Sequence, residues 1–138
     1  MKNIYSKDTI SLSTTLSKID SDVSKFYKID FELLKDKVLG KEYDLSIAII
    51  GDKKSRRLNK AYRAKSYAPD VLSFPISETS GEIFLNPKVA KRKSARFDMT
   101  PLKYLIYLVI HGMLHLKGMD HGAKMEATEK QLLEKYFS

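Results

Sequence analysis

Apolar positions along this chain follow two different periods, and their order sketches a fold. Over residues 9–16 the alternation Ile10, Leu12, Thr14, Leu16 predicts a strand. Residues 17–22 are turn-like and suit a helix cap. Phe26, Ile29, Phe31, Leu33, Leu34, Val38 and Leu39 follow at mostly helical spacing, which ends near Gly40. The isoleucine-rich run 45–50, bounded by Asp44 and Gly51, predicts a buried strand. After it comes a polar helix to about Tyr62, with Asp52 as the expected N-cap and Leu58, Ala61 and Tyr62 on the inner side.

Further on, residues 71–75 and 82–85 read as partner strands joined by a polar hairpin loop over 76–81. Pro75 sets the first of them at an edge or strand end. Asn86-Pro87 opens a basic stretch with the look of a short helix. Thr100-Pro101 is a strong helix start, with threonine as cap and proline in the first turn. The helix it opens is apolar almost all round, which predicts a central buried element. That helix stops at Gly118, and a last amphipathic helix covers about 124–136. No repeat or linker interrupts the pattern, so one domain over residues 1–138 is expected.

Composition narrows the class. In 138 residues, 43% are hydrophobic and 30% charged, enough for a core and a solvated surface. Without cysteine, disulfides are excluded and any metal must be held by His, Asp or Glu. The start of the chain carries Lys2, Lys7 and Asp8 and shows no apolar core of a secretory signal. The longest apolar run, 104–110, is far short of the roughly 20 residues that span a bilayer. The expectation is a soluble cytoplasmic protein with no membrane association.

A formal net charge of +8 is unevenly spread. Lys53, Lys54, Arg56, Arg57, Lys60, Arg63 and Lys65 are opposed only by Asp52, and Lys88, Lys91, Arg92, Lys93 and Arg96 form a second cluster. Such patches attract polyanions, of which nucleic acid is the commonest, although a basic run is also an ordinary solvated face.

The three histidines of the chain all fall within the segment His-Gly-Met-Leu-His-Leu-Lys-Gly-Met-Asp-His, at His111, His115 and His121. Four residues apart on a helix, His111 and His115 share one face. Gly118 lets the chain leave that helix, and His121 closes the set. Three imidazoles with an open fourth position describe a catalytic zinc site, at which a bound water is acidified toward neutral pH. Nickel, copper or cobalt suit the same ligands.

This spacing resembles the metzincin proteases, with one departure. Where those enzymes carry a glutamate base after the first histidine, this chain has Gly112. The departure argues against peptide hydrolysis. Upstream, Arg63 ends a basic helix near a strand, and an arginine beside a metal is suited to clamp a phosphate.

The histidine segment also resembles the signature of the YbeY family of metal-dependent endoribonucleases. Leu58-Asn59, Tyr62-Arg63, Asp70-Val71-Leu72-Ser73-Phe74-Pro75 and Gly81-Glu82-Ile83 are similar to its other blocks, so the resemblance covers about residues 45–137. Departures are Pro69 for the usual threonine, Glu82 for aspartate, Met119 for tyrosine, and a short segment between Pro87 and Thr100.

The resemblance implies an α+β fold: a small mixed sheet of about four strands flanked by helices, with the metal ligands on the buried central helix. It implies one Zn2+ (or Ni2+ or another divalent ion) on His111, His115 and His121, and catalytic roles for Arg63, His111 and His115. It implies cleavage of single-stranded RNA in 16S rRNA 3′-end maturation and ribosome quality control, with the ribosome or small-subunit proteins as partners. Arg63, Ser73 and Lys60 are expected on the substrate. Asp70 and Asp120 are expected to orient an imidazole or Arg63 from behind. The alternative is a non-catalytic RNA- or ribosome-binding module with a structural metal.

Overall fold

The structure, a computed structural model, describes residues 29–138 and the short strand β1 (Thr9–Ser11). The predicted strand over 9–16 is seen in its first three residues, and its remainder and the turn at 17–22 lie outside the described residues. Helix α1 (Phe31–Val38) begins where Asp30 accepts a hydrogen bond from the Leu33 amide at 3.0 Å. Ile29 is thus a buried residue ahead of the helix and not part of it.

Strand β2 (Asp44–Ile49) lies parallel to β4 (Ser80–Leu85), and β3 (Val71–Ser77) runs antiparallel to β4. β1 pairs antiparallel with β2, giving the order β1-β2-β4-β3. The sheet therefore has three full strands, and the expected count of about four is reached only with the three-residue β1. The hairpin is tighter than expected. Ile76 and Ser77 continue β3, Ser80 and Gly81 begin β4, and only Glu78 and Thr79 form the turn. The pairing is irregular between Pro75 and Ser77, on the edge strand, where a residue without an N–H costs the ladder least.

Both faces of the sheet are covered. Leu45, Ile47, Ile83 and Leu85 point into the main core beneath the long helix α4 (Pro101–Leu116). Ala48, Leu72 and Phe84 point the other way and pack with Leu58 of α2 (Asp52–Arg63). Helix α5 (Ala123–Phe137) closes the main core through Met125 and Leu133.

Helix α2 differs from its sequence reading in two ways. Its N-cap is Gly51. The Asp52 carboxylate instead accepts from the Asn86 amide at 2.9 Å and meets Arg92 at 3.4 Å, which ties α2 to α3 (Pro87–Ser94). Its inner face is Ser55, Leu58 and Asn59, whereas Ala61 and Tyr62 are exposed. The two polar residues are inside because they receive carbonyls of the following loop. Ser55 Oγ donates to the Pro69 carbonyl at 2.8 Å, and Asn59 Nδ2 donates to that of Tyr67 at 3.0 Å.

Helix α4 starts as the sequence predicts, with Thr100 Oγ1 accepting from the Lys103 amide at 3.2 Å and Pro101 in the first turn. It packs tightly on the sheet at Gly112. A Cβ there would lie 2.9 Å from Ser73 Oγ and 3.1 Å from Ile83 Cδ1. Ser73 Oγ donates to the Gly112 carbonyl at 3.1 Å, so strand and helix are joined at the same point. Gly112→Val is expected to destabilise the fold by about 1–3 kcal/mol, because the Ser73 hydroxyl and the Ile83 side chain must give way to admit the branch. Urea unfolding of the purified variant measures this, and a midpoint equal to wild type contradicts the close-approach account.

Candidate metal centre

Two turns of backbone chemistry assemble the histidines. On α4, His111 and His115 stand one turn apart, with ring centroids 4.6 Å apart and Nε2 atoms 3.1 Å apart. The helix then ends in a Schellman motif. The Gly118 amide donates to the His115 carbonyl and the Met119 amide to the Leu114 carbonyl, both at 3.0 Å, with Gly118 at φ +100°. The reversal brings the His121 ring to 4.5 Å from His115 and 5.2 Å from His111.

One nitrogen from each ring lies within 4.8 Å of the others. Tetrahedral ligands about 2.0–2.1 Å from one zinc ion are about 3.3 Å apart, and the 3.1 Å between Nε2 of His111 and of His115 matches that separation. The donors fit as well. Burial, followed by the neighbouring imidazoles His111 and His121, holds the His115 pKa below its usual value, which favours the neutral form that a metal requires.

His111 has a further partner that sequence reading missed. Its Nδ1 is hydrogen-bonded to Oε2 of Glu129, a buried residue of α5. A carboxylate here accepts, so Nδ1 carries the proton and Nε2 presents its lone pair to the site. This is the arrangement by which carboxylates fix ligand histidines. Glu129 lies 18 residues from His111, and only its place on the inner side of the last amphipathic helix could have marked it.

A cleft of about 350 Å³ opens over the histidines. Its lining brings together Arg63, Asp70 and Ser73 with His111, His115 and His121, and adds Tyr67 and Lys93. Lys60 and Asp120 are exposed and do not line it. Ser73 spends its hydroxyl proton on the Gly112 carbonyl. Asp70 holds neither Arg63 nor an imidazole. Its Oδ2 accepts from Tyr104 Oη at 2.7 Å and lies 3.6 Å from Lys93 Nζ. Burial and this carboxylate push the Tyr104 hydroxyl pKa far up, so it stays a donor. Rings of Tyr104, Tyr107 and His111 then follow one another along α4, with centroids 5.7 and 5.9 Å apart.

The structure also explains the missing glutamate. Position 112 faces Ser73 and Ile83 of the sheet, not the cleft, and a longer side chain has no room there. Among the described residues, no helix is long and apolar enough to cross a membrane.

Comparison with known proteins agrees with this geometry. The family model for endoribonuclease YbeY matches residues 8–137. An endoribonuclease YbeY of Thermodesulfovibrio yellowstonii is 32% identical, with 95% of this chain and 92% of that one covered. One from Bdellovibrio bacteriovorus is 37% identical over 76% of this chain and 71% of its own. One from Aromatoleum aromaticum is 37% identical over 66% of this chain, which spans about three fifths (61%) of that relative. A solution structure from Thermotoga maritima shares the fold, with a TM-score of 0.60 at 24% identity, covering 84% of this chain and 83% of the other. With a match over nearly its whole length and three imidazoles converging beside an arginine, the chain belongs to the YbeY family of metal-dependent endoribonucleases.

Proposed function

We propose that this chain is a single-strand-specific endoribonuclease of rRNA processing, acting in 16S rRNA 3′-end maturation and ribosome quality control in the cytoplasm. One domain over residues 1–138 carries the activity, and rRNA within the ribosome or its small-subunit proteins are the partners. The observation that carries the reading is the cleft itself. Three imidazoles face one point, the charged groups that line the cleft with them are two cations, Arg63 and Lys93, and an aspartate already engaged with Tyr104, and Glu129 backs His111.

His111, His115 and His121 would hold one zinc ion. When bound, it supplies Lewis acidity at a phosphodiester. Glu129 fixes the tautomer of His111 so that its Nε2 faces the site. Arg63, exposed at the end of α2, clamps two phosphate oxygens and stabilises the charge that grows on them during cleavage. Lys93, kept at the cleft by Asp70, adds a second positive charge. The exposed lysines and arginines of α2 and α3, Lys60 among them, attract the RNA backbone from outside the cleft.

Four measurements test this reading. Purified His115→Ala, compared with wild type on a single-stranded RNA, should lose both bound metal and cleavage while its circular dichroism stays native. Chelated wild type should likewise lose cleavage in a folded state, whereas a protein that unfolds in step with metal loss points to a structural metal. Arg63→Ala should keep its metal and lose roughly 10²- to 10³-fold in kcat, and unchanged turnover removes Arg63 from the reaction. Glu129→Gln should weaken zinc binding by roughly 10- to 100-fold in a competition titration, and an affinity equal to wild type assigns Glu129 to packing alone.

A further inference from the structure

The loop between α2 and β3 is held at three places, yet an exposed ring of the cleft stands on it. Asn59, fully buried, fixes the Tyr67 carbonyl at 3.0 Å, and Ser55, also buried, fixes that of Pro69 at 2.8 Å. Asp70 is anchored to Tyr104 of α4 at 2.7 Å. Within this frame the Tyr67 ring is 52% exposed. It lines the cleft with Arg63 and the three histidines, and among the described residues it forms no ring pair.

A single exposed tyrosine is ordinary on a protein surface. This one differs in its mounting and its neighbour. Its backbone is already ordered, so a flat ligand that stacks on the ring costs little further loss of freedom. Its cleft neighbour, Arg63, is the group suited to the phosphate, and each phosphate of a nucleic acid has a base beside it.

We propose that Tyr67 is a stacking platform for an unpaired nucleobase next to the phosphate that Arg63 holds, and that this contact selects single-stranded over double-stranded RNA. The proposal rests on the endoribonuclease reading above. In a duplex both faces of a base are covered by its neighbours, so the ring can be met only after unstacking. In a single strand the face is available at little cost. Every base offers such a face, so the contact selects strandedness without selecting sequence.

The test uses the full chain and a short RNA carrying 2-aminopurine, offered as a single strand and as a duplex of the same sequence. Wild type should bind the single strand and quench the 2-aminopurine. Tyr67→Ala should weaken single-strand binding by roughly 5- to 150-fold, abolish the quench and leave duplex binding unchanged. Tyr67→Phe and Tyr67→Trp, which keep a ring, should restore both signals. A Tyr67→Ala protein that binds the single strand like wild type overturns the proposal. So does one that loses single strand and duplex equally, since that marks damage to the loop or its charge. Wild type that binds no single-stranded RNA instead defeats the endoribonuclease reading, whatever Tyr67 does.

Discussion

Helix α4 can carry the site only because it touches the sheet at a residue with no side chain. At Gly112 the helix backbone comes within reach of Ser73, whose hydroxyl donates to the Gly112 carbonyl at 3.1 Å. Successive helical residues turn by about 100°, so a helix seated on the sheet through Gly112 turns His111 and His115 toward the cleft beside β3. A larger residue would press on the Ser73 hydroxyl and the Ile83 side chain, and any shift of α4 that relieved this would carry both rings with it. Packing and site geometry are one constraint here. That constraint also bars an inward-facing acid at position 112, which separates this centre from the proteases that share its histidine spacing.

Around that contact the structure adds ties from distant parts of the chain. Glu129 reaches His111 from α5, and Asp70 reaches Tyr104 from the start of β3. Both carboxylates are buried, and a buried carboxylate is tolerated only when donors meet it. Each therefore holds its partner in one orientation. The row Tyr104, Tyr107, His111 along α4 brings the two ties to one helix face. Ser55 and Asn59 do similar work for the loop on the far wall of the cleft, through backbone carbonyls.

What was legible in the sequence follows from the range of the interactions. The histidines, the Thr100-Pro101 start and the Gly118 stop are set by contacts within a few residues, and the structure places them as the sequence predicts. The α+β class was legible through the family blocks and the spacing of strands and helices. Asp52 looked like a cap because its type suits one, but a partner 34 residues away, Asn86, claims its carboxylate. Ala61 and Tyr62 were read as inner by apolarity, whereas the inner stripe of α2 sets Leu58 beside the polar Ser55 and Asn59, which bond the carbonyls of a loop. Asp70 was expected behind Arg63 or an imidazole, and its hydrogen bond is to Tyr104, 34 residues away. Glu129 and the cleft position of Lys93 depend wholly on tertiary packing, and one charged residue among many gives no local sign of them.

The charge of the cleft then bears on the substrate more directly than the charge of the chain. A net +8 spread over a surface attracts any polyanion and is screened by salt. Inside the cleft the balance is set by Arg63, Lys93 and Asp70, with Glu129 behind His111, and Asp70 has Tyr104 as a partner before any ligand arrives. Two cations meet two carboxylates that are already engaged, Asp70 with Tyr104 and Glu129 with His111, and a divalent ion on three neutral imidazoles would make the cleft positive. A peptide bond brings no charge to meet such a field. A phosphodiester brings one, and it gains more as charge builds during cleavage, which is when fixed positive groups accelerate a reaction. The histidine spacing alone fits either chemistry; the walls around it favour the phosphate.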